Sequence, residues 1–218
     1  MITKTTSKPL LVFAMKEECG DVFQAGDDQD LLFTGIGKVN AAYVLTKRLY
    51  GSENGKPESE GGGLHLPRPS VVVNMGTAGS RRHKGGMIVN CTRFIQRDMD
   101  VTPLGFARGQ TPFSDDPVVI EYGLALETKA AAAQGDTLIT GGVCGTGDNF
   151  DVSEDAENYD AVDMEAYALA LICQREKIPF LCLKYISDGA DEGAHIDWNE
   201  SLRRAAQALN NVYGLRKV

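Results

Sequence analysis

Short runs of aliphatic and β-branched residues recur along the chain at residues 9–15, 31–34, 70–75, 87–95, 137–143 and 180–186. Runs of this length and composition predict strands. Apolar residues at helical spacing intervene at 39–50, 124–133, 164–176 and 200–213. The alternation predicts an α/β class, a mixed twisted sheet surrounded by helices. No internal repeat is present. Residues 51–69 are rich in Gly, Pro, Ser and Glu and predict a surface loop, too short to separate two domains. Residues 1–218 are therefore expected to form one domain.

The ends of the predicted strands carry the chemistry. Glu17 and Glu18 follow the first run, Asp163 and Glu165 flank Met164 at a predicted helix start, and Ser187-Asp188 closes the last run. Open α/β sheets bind small ligands at the carboxyl ends of their strands, so three acids in such settings predict a shared cleft. An Asp after a strand also serves to cap a turn, and acids in a first helical turn complement the helix dipole. Glycine clusters at Gly35-Ile36-Gly37, Gly76-Thr77-Ala78-Gly79 and Gly145-Thr146-Gly147 allow sharp turns and close approach to a ligand. The first lies between strand and helix, but the third position of a dinucleotide fingerprint falls on Asn40, so no nicotinamide cofactor is expected.

Composition narrows the partners. A formal charge of −8 argues against nucleic acid as the main partner. Arg81, Arg82, His83 and Lys84 form the one dense basic run and predict a solvated turn. The five cysteines, Cys19, Cys91, Cys144, Cys173 and Cys182, contain no C-x-x-C pair and suit reduced core thiols in a cytoplasmic protein. His65, His83 and His195 have no ligand spacing, and no metal is expected. Lys16-Glu17-Glu18 interrupts the first apolar run where a signal peptide would need a cleavage site. No apolar stretch approaches the ~18 residues of a membrane span.

Five blocks taken together carry a resemblance: Ala14-Met15-Lys16-Glu17-Glu18, Gly35-Ile36-Gly37-Lys38, Asn74-Met75-Gly76-Thr77-Ala78-Gly79, Val162-Asp163-Met164-Glu165-Ala166 and Ile186-Ser187-Asp188. In this order, from about Leu10 to Ala205 and including the segment Asp100 to Phe106, the chain resembles the methylthioadenosine/S-adenosylhomocysteine nucleosidases of the purine nucleoside phosphorylase superfamily. The resemblance implies a nucleoside phosphorylase-like fold and hydrolysis of an N-glycosidic bond without a cofactor. It implies that Asp188, beside Ser187, protonates the purine at N7 and that Glu18 activates the attacking water. Glu165 is implied to accept hydrogen bonds from the ribose hydroxyls as an ionised carboxylate, with Met164 against the sugar. Phe150 is implied to stack on the purine, and the backbone of Asp151 to reach the base edge. Thr77, Ala78 and Gly79 belong to the implied substrate site. Met15, Ile36 and Trp198 are implied to line the 5′ pocket. Val101, Phe106 and Pro112 match a segment lent across a homodimer interface.

The chain departs from that pattern in four ways. The stretch between Glu18 and Gly35 is short, and 51–69 is long. Asp151 stands at a commonly apolar position, and Lys184 stands where an arginine braces the ribose-binding acid. Two rival readings share the fold. A phosphorylase would need arginines to hold phosphate, yet Asn74 and Met75 precede the glycine turn. A nucleoside-binding protein without turnover would have no need of all three acids, Glu18, Glu165 and Asp188.

Overall fold

The computed structural model describes residues 7–51, 66–126, 138–190 and 194–214, with only the backbone of 194–200. Eight strands form one sheet: β1 Pro9–Phe13, β2 Asp30–Phe33, β3 Val71–Gly79, β4 Ile88–Gln96, β5 Val119–Glu121, β6 Leu138–Thr146, β7 Ala161–Asp163 and β8 Phe180–Asp188. Four α-helices accompany them: α1 Lys16–Cys19, α2 Lys38–Tyr50, α3 Ala166–Glu176 and α4 Ala194–Gly214. Parallel pairing joins β2, β1, β3 and β8, and a second parallel set joins β4, β6 and β7. The sets meet antiparallel at β8 with β4 and at β3 with β7, so β3, β8, β4, β6 and β7 close into a ring.

Strand side chains alternate between two cores. Leu10, Val12, Val72, Phe180, Cys182 and Ile186 pack with Ala41 and Leu45 of α2 and with Leu169 and Cys173 of α3. Leu11, Phe13, Val73, Met75, Leu181 and Leu183 pack with Ala205, Leu209 and Val212 of α4 and with Cys19 of α1. Burial on both faces explains the near-continuous apolar runs in the sequence. All five cysteines are buried and free.

The expected strands, and the helices expected at 39–50, 164–176 and 200–213, are present with shifted bounds. β3, β6 and β8 run on through glycine and polar residues because pairing continues, with Gly76 opposite Lys184 and Ala78 opposite Ile186. Residues 14–15, expected in a strand, leave the sheet after the Phe13–Phe33 pair, and Met15 caps α1. The short elements α1, β5 and β7 carry too few residues to show a period. The predicted helix at 124–133 is not helical at its start: Leu124 N–H donates to Phe180 O and Leu126 N–H to Asn90 Oδ1. The rest of that segment, like 52–65 of the predicted loop, lies outside the described residues.

The basic run forms the β3–β4 turn, with Arg81, Arg82 and Lys84 exposed as expected. Arg81 also donates to the carbonyls of Ala190 and Val152, Arg82 donates to Glu157 O, and His83 Nε2 lies 3.0 Å from Asp160. These bonds tie the turn to residues 152–160 and to Ala190. Among the described residues no helix is long and apolar enough to cross a membrane.

Candidate active site

Strand ends deliver the acids to one cavity of about 230 Å³. Its wall includes Met15, Glu18, Ile36, Thr77, Ala78, Gly79, Phe150, Asp151, Met164, Glu165, Ser187 and Asp188, each a residue singled out from the sequence. Val101, Phe106 and Pro112 line no part of it. Trp198 falls in α4, and its side chain lies outside the described residues. Ala14, Arg97, Asn149 and Val162 line the cavity without having been picked out. Ala14 and Val162 lie in the blocks that carry the resemblance, whereas Arg97, directly before Asp98, and Asn149 stand among other polar residues and carried no distinct signal.

Glu17 is exposed and Glu18 buried, which resolves the choice between them. Glu18 Oε1 accepts from Thr77 N–H at 2.8 Å and from Thr77 Oγ1 at 2.9 Å, while Oε2 accepts from Ala14 N–H at 3.2 Å. Gly76 is required beside it, since a Cβ there would lie 2.8 Å from Glu18 Oε1. Asp188 is similarly cradled. Ser187 Oγ lies 2.7 Å from its Oδ2 and Ala190 N–H donates to its Oδ1 at 3.0 Å. A Cβ on Gly79 would lie 2.7 Å from Asp188 Oδ1.

Glu165 precedes α3 and accepts from Gly37 N–H at 2.9 Å through Oε1. Burial, reinforced by the charge of Asp163, pushes its pKa up to about 8 against the pull of Lys184 and the Gly37 amide. At that value the carboxyl is mainly protonated at pH 7, whereas the resemblance implied an ionised carboxylate. It then offers one O–H donor together with acceptor capacity to a diol.

Lys184 is not the direct brace of Glu165 that the resemblance implied. Its ammonium pairs with Asp163 Oδ2 at 2.8 Å, with both side chains almost wholly out of solvent. Burial opposes both charges, but the pairing outweighs it, holding Asp163 below and Lys184 above their ordinary values. Asp163 also accepts from Thr146 Oγ1 at 2.6 Å and from the α3 amide of Ala166 at 2.9 Å. It thereby caps the helix that carries Glu165.

Asp151, expected to act through its backbone, also uses its carboxylate. Oδ2 lies 3.2 Å from Arg97 Nη1, and Oδ1 accepts from Ser153 N–H and Oγ. Among the described residues, no cluster of three or more His, Cys, Asp or Glu could hold a metal ion.

A curled mixed sheet with carboxyls converging on one cavity defines an α/β protein with a small-ligand site, and comparison with known proteins names its family. Residues 22–217 match the Phosphorylase superfamily. A 5′-methylthioadenosine/S-adenosylhomocysteine nucleosidase of Haemophilus influenzae is 35% identical over 193 residues, 84% of this chain and 77% of the relative. The nucleosidase of Neisseria meningitidis, solved in complex with methylthio-immucillin-A, is 25% identical with a TM-score of 0.72, covering 96% of this chain and 98% of that one. The Helicobacter pylori nucleosidase has the same fold, with a TM-score of 0.74 at 21% identity over 97% and 98% of the two chains. The chain belongs to the phosphorylase superfamily and, within it, to the methylthioadenosine/S-adenosylhomocysteine nucleosidase family.

Proposed function

We infer that this chain hydrolyses the N-glycosidic bond of adenine nucleosides such as methylthioadenosine and S-adenosylhomocysteine, releasing adenine and a 5-substituted ribose, a step of methionine salvage. The carrying observation is that Glu18, Glu165 and Asp188 share one cavity, each oriented by its own backbone amide.

Asp188 donates a proton to purine N7, turning adenine into a neutral leaving group. Acid catalysis of this kind contributes ~10²–10⁴-fold. Ser187 serves both protonation states of that acid. Its hydroxyl can donate to Ala78 O, 3.3 Å away, while the Asp188 proton faces the base, and can turn to donate to the carboxylate once that proton has passed to N7. Glu18 takes a proton from the attacking water on the other face of the sugar and offsets the positive charge that builds on the ribose. Glu165 holds the ribose diol, Met164 packs on the sugar, and Phe150 stacks on the base beside the backbone of Asp151. Thr77, Ala78 and Gly79 form the cavity floor. Met15 and Ile36 surround the 5′ group.

Water is favoured over phosphate as the nucleophile by the bonding of Glu18. The Thr77 and Ala14 amides, donors suited to an anion, are occupied by a carboxylate that would repel phosphate. The test is adenine release from methylthioadenosine with and without phosphate. Equal rates are expected, and strict dependence on phosphate would sink the reading.

The protein acts as a single-domain, cytoplasmic homodimer. Val39, Tyr43, Leu104 and Phe113 are large, exposed apolar side chains, and Phe113 is 97% exposed while its ring packs on Phe106. A second copy would cover them and bring Val101, Phe106 and Pro112 to the neighbouring cavity. A sedimentation mass of one chain would contradict this.

A further inference from the structure

Phe150 sits on an irregular segment, residues 147–151, and is 55% exposed at the mouth of the cavity. The segment belongs to no helix or strand; Gly147 N–H donates to Asp163 O, Asp148 is held by the Lys38 amide and by Asp98, and Asp151 accepts from Ser153. Arg97, at the end of β4, is buried behind it at 6% exposure and binds the segment on both sides of the aromatic residue. On the N-terminal side, Nη2 donates to Asn149 O at 2.6 Å and to Gly147 O at 3.4 Å, and Nη1 donates to Asn149 Oδ1 at 2.8 Å. On the C-terminal side, Nη1 lies 3.2 Å from Asp151 Oδ2, with both side chains about 6–7% exposed.

The guanidinium packs so closely on the segment that a Cβ on Gly147 would lie 2.8 Å from Arg97 Cζ. Its Nε is buried without a hydrogen-bond partner. The planar fork matters. Four acceptors on three residues are met by two nitrogens in fixed relation, which a single ammonium cannot reproduce.

We propose that Arg97 is the positioning residue that holds Phe150 against the base, bracketing it through Asn149 and Asp151, and so sets affinity for the purine. Its own Nη hydrogens are spent on the protein, so it acts through Phe150 and not on the substrate. The role rests on the assignment of Phe150 as the purine platform. Stacking is present in the bound substrate and in the transition state alike, so its loss weakens binding without slowing the chemical step.

The test compares wild type, Arg97→Met, Arg97→Lys, Phe150→Ala and the Arg97→Met/Phe150→Ala double variant. It reads kcat and KM on methylthioadenosine and, separately, the Kd for adenine by calorimetry. Arg97→Met should raise KM and the adenine Kd about tenfold while kcat changes less than about threefold, the pattern of lost uniform binding. Arg97→Lys should not restore either. The double variant should bind no more weakly than Phe150→Ala alone, because the two residues act as one unit. Multiplying losses, an unchanged KM, or a wild type that binds no adenine would each overturn the proposal. If Arg97→Met does not fold, Asn149→Ala removes one leg of the bracket, and an unaltered adenine Kd in that variant is equally fatal. A wild type that binds adenine without turning over methylthioadenosine sinks the nucleosidase reading alone, since the adenine Kd comparison still decides the role of Arg97.

Discussion

Lys184 Nζ lies 2.8 Å from Asp163 Oδ2, an ion pair between the middle of β8 and the end of β7 with both groups sealed from water. Its second function is mechanical, since the same Asp163 oxygen accepts the Ala166 amide and sets the start of α3, directly beside Glu165. Removing one member of a buried pair leaves the other charge without compensation, at about 3–5 kcal/mol. For a chain of this size, Lys184→Met should lower Tm by roughly 6–20 °C. A thermal melt that matches wild type would show that the pair does not hold the β7–α3 junction.

Asp188→Asn should abolish adenine release while leaving the fold and most nucleoside binding in place, because the amide keeps the shape but cannot transfer the proton. The expected loss in kcat is at least the ~10²–10⁴-fold range of general acid catalysis. Near-normal turnover in that variant would remove Asp188 from its role.

Glu165 couples the cavity to pH. Its acid titrates near about 4.3 in an unfolded chain and at about 8 in the folded one. Between those values the folded state binds more protons than the unfolded state, so stability falls as pH rises. Below about pH 4 both states are neutral, and above about pH 8 the full penalty is felt. Glu165→Gln removes this dependence, so its Tm relative to wild type should climb steadily from pH 5 to pH 8.5. A constant difference across that window would refute the coupling. The same variant should bind nucleoside less tightly, having lost the carboxyl oxygen that faces the diol.

Gly76→Ala tests the packing of Glu18, the acid proposed to activate water. The new Cβ would meet Glu18 Oε1 at 2.8 Å, inside van der Waals contact, and must displace the carboxylate from Thr77. A displacement of about 1 Å in a catalytic group costs on the order of 10²-fold in rate. The expected outcome is a kcat loss of that size with a largely unchanged circular dichroism spectrum. Full activity would mean that the Glu18 geometry is not critical.

The sequence by itself determined the sheet, most of its strands and the acids at their ends. Apolar runs such as 180–186 can only be satisfied by burial on both faces, and the chemistry of Glu18, Glu165 and Asp188 is written in residue type and order. Tertiary structure decided the rest. Burial separated Glu18 from the adjacent Glu17 and, together with the charge of Asp163, moved Glu165 away from an ordinary carboxylate. Lys184 found Asp163 and not Glu165 because β8 and β7 meet through the ring of strands, 21 residues apart in sequence but 2.8 Å apart in space. Arg97 reached Asn149 and Asp151 from another strand end, about 50 residues away. Such partnerships depend on which strands lie side by side, and local hydrophobic patterning carries no record of that choice.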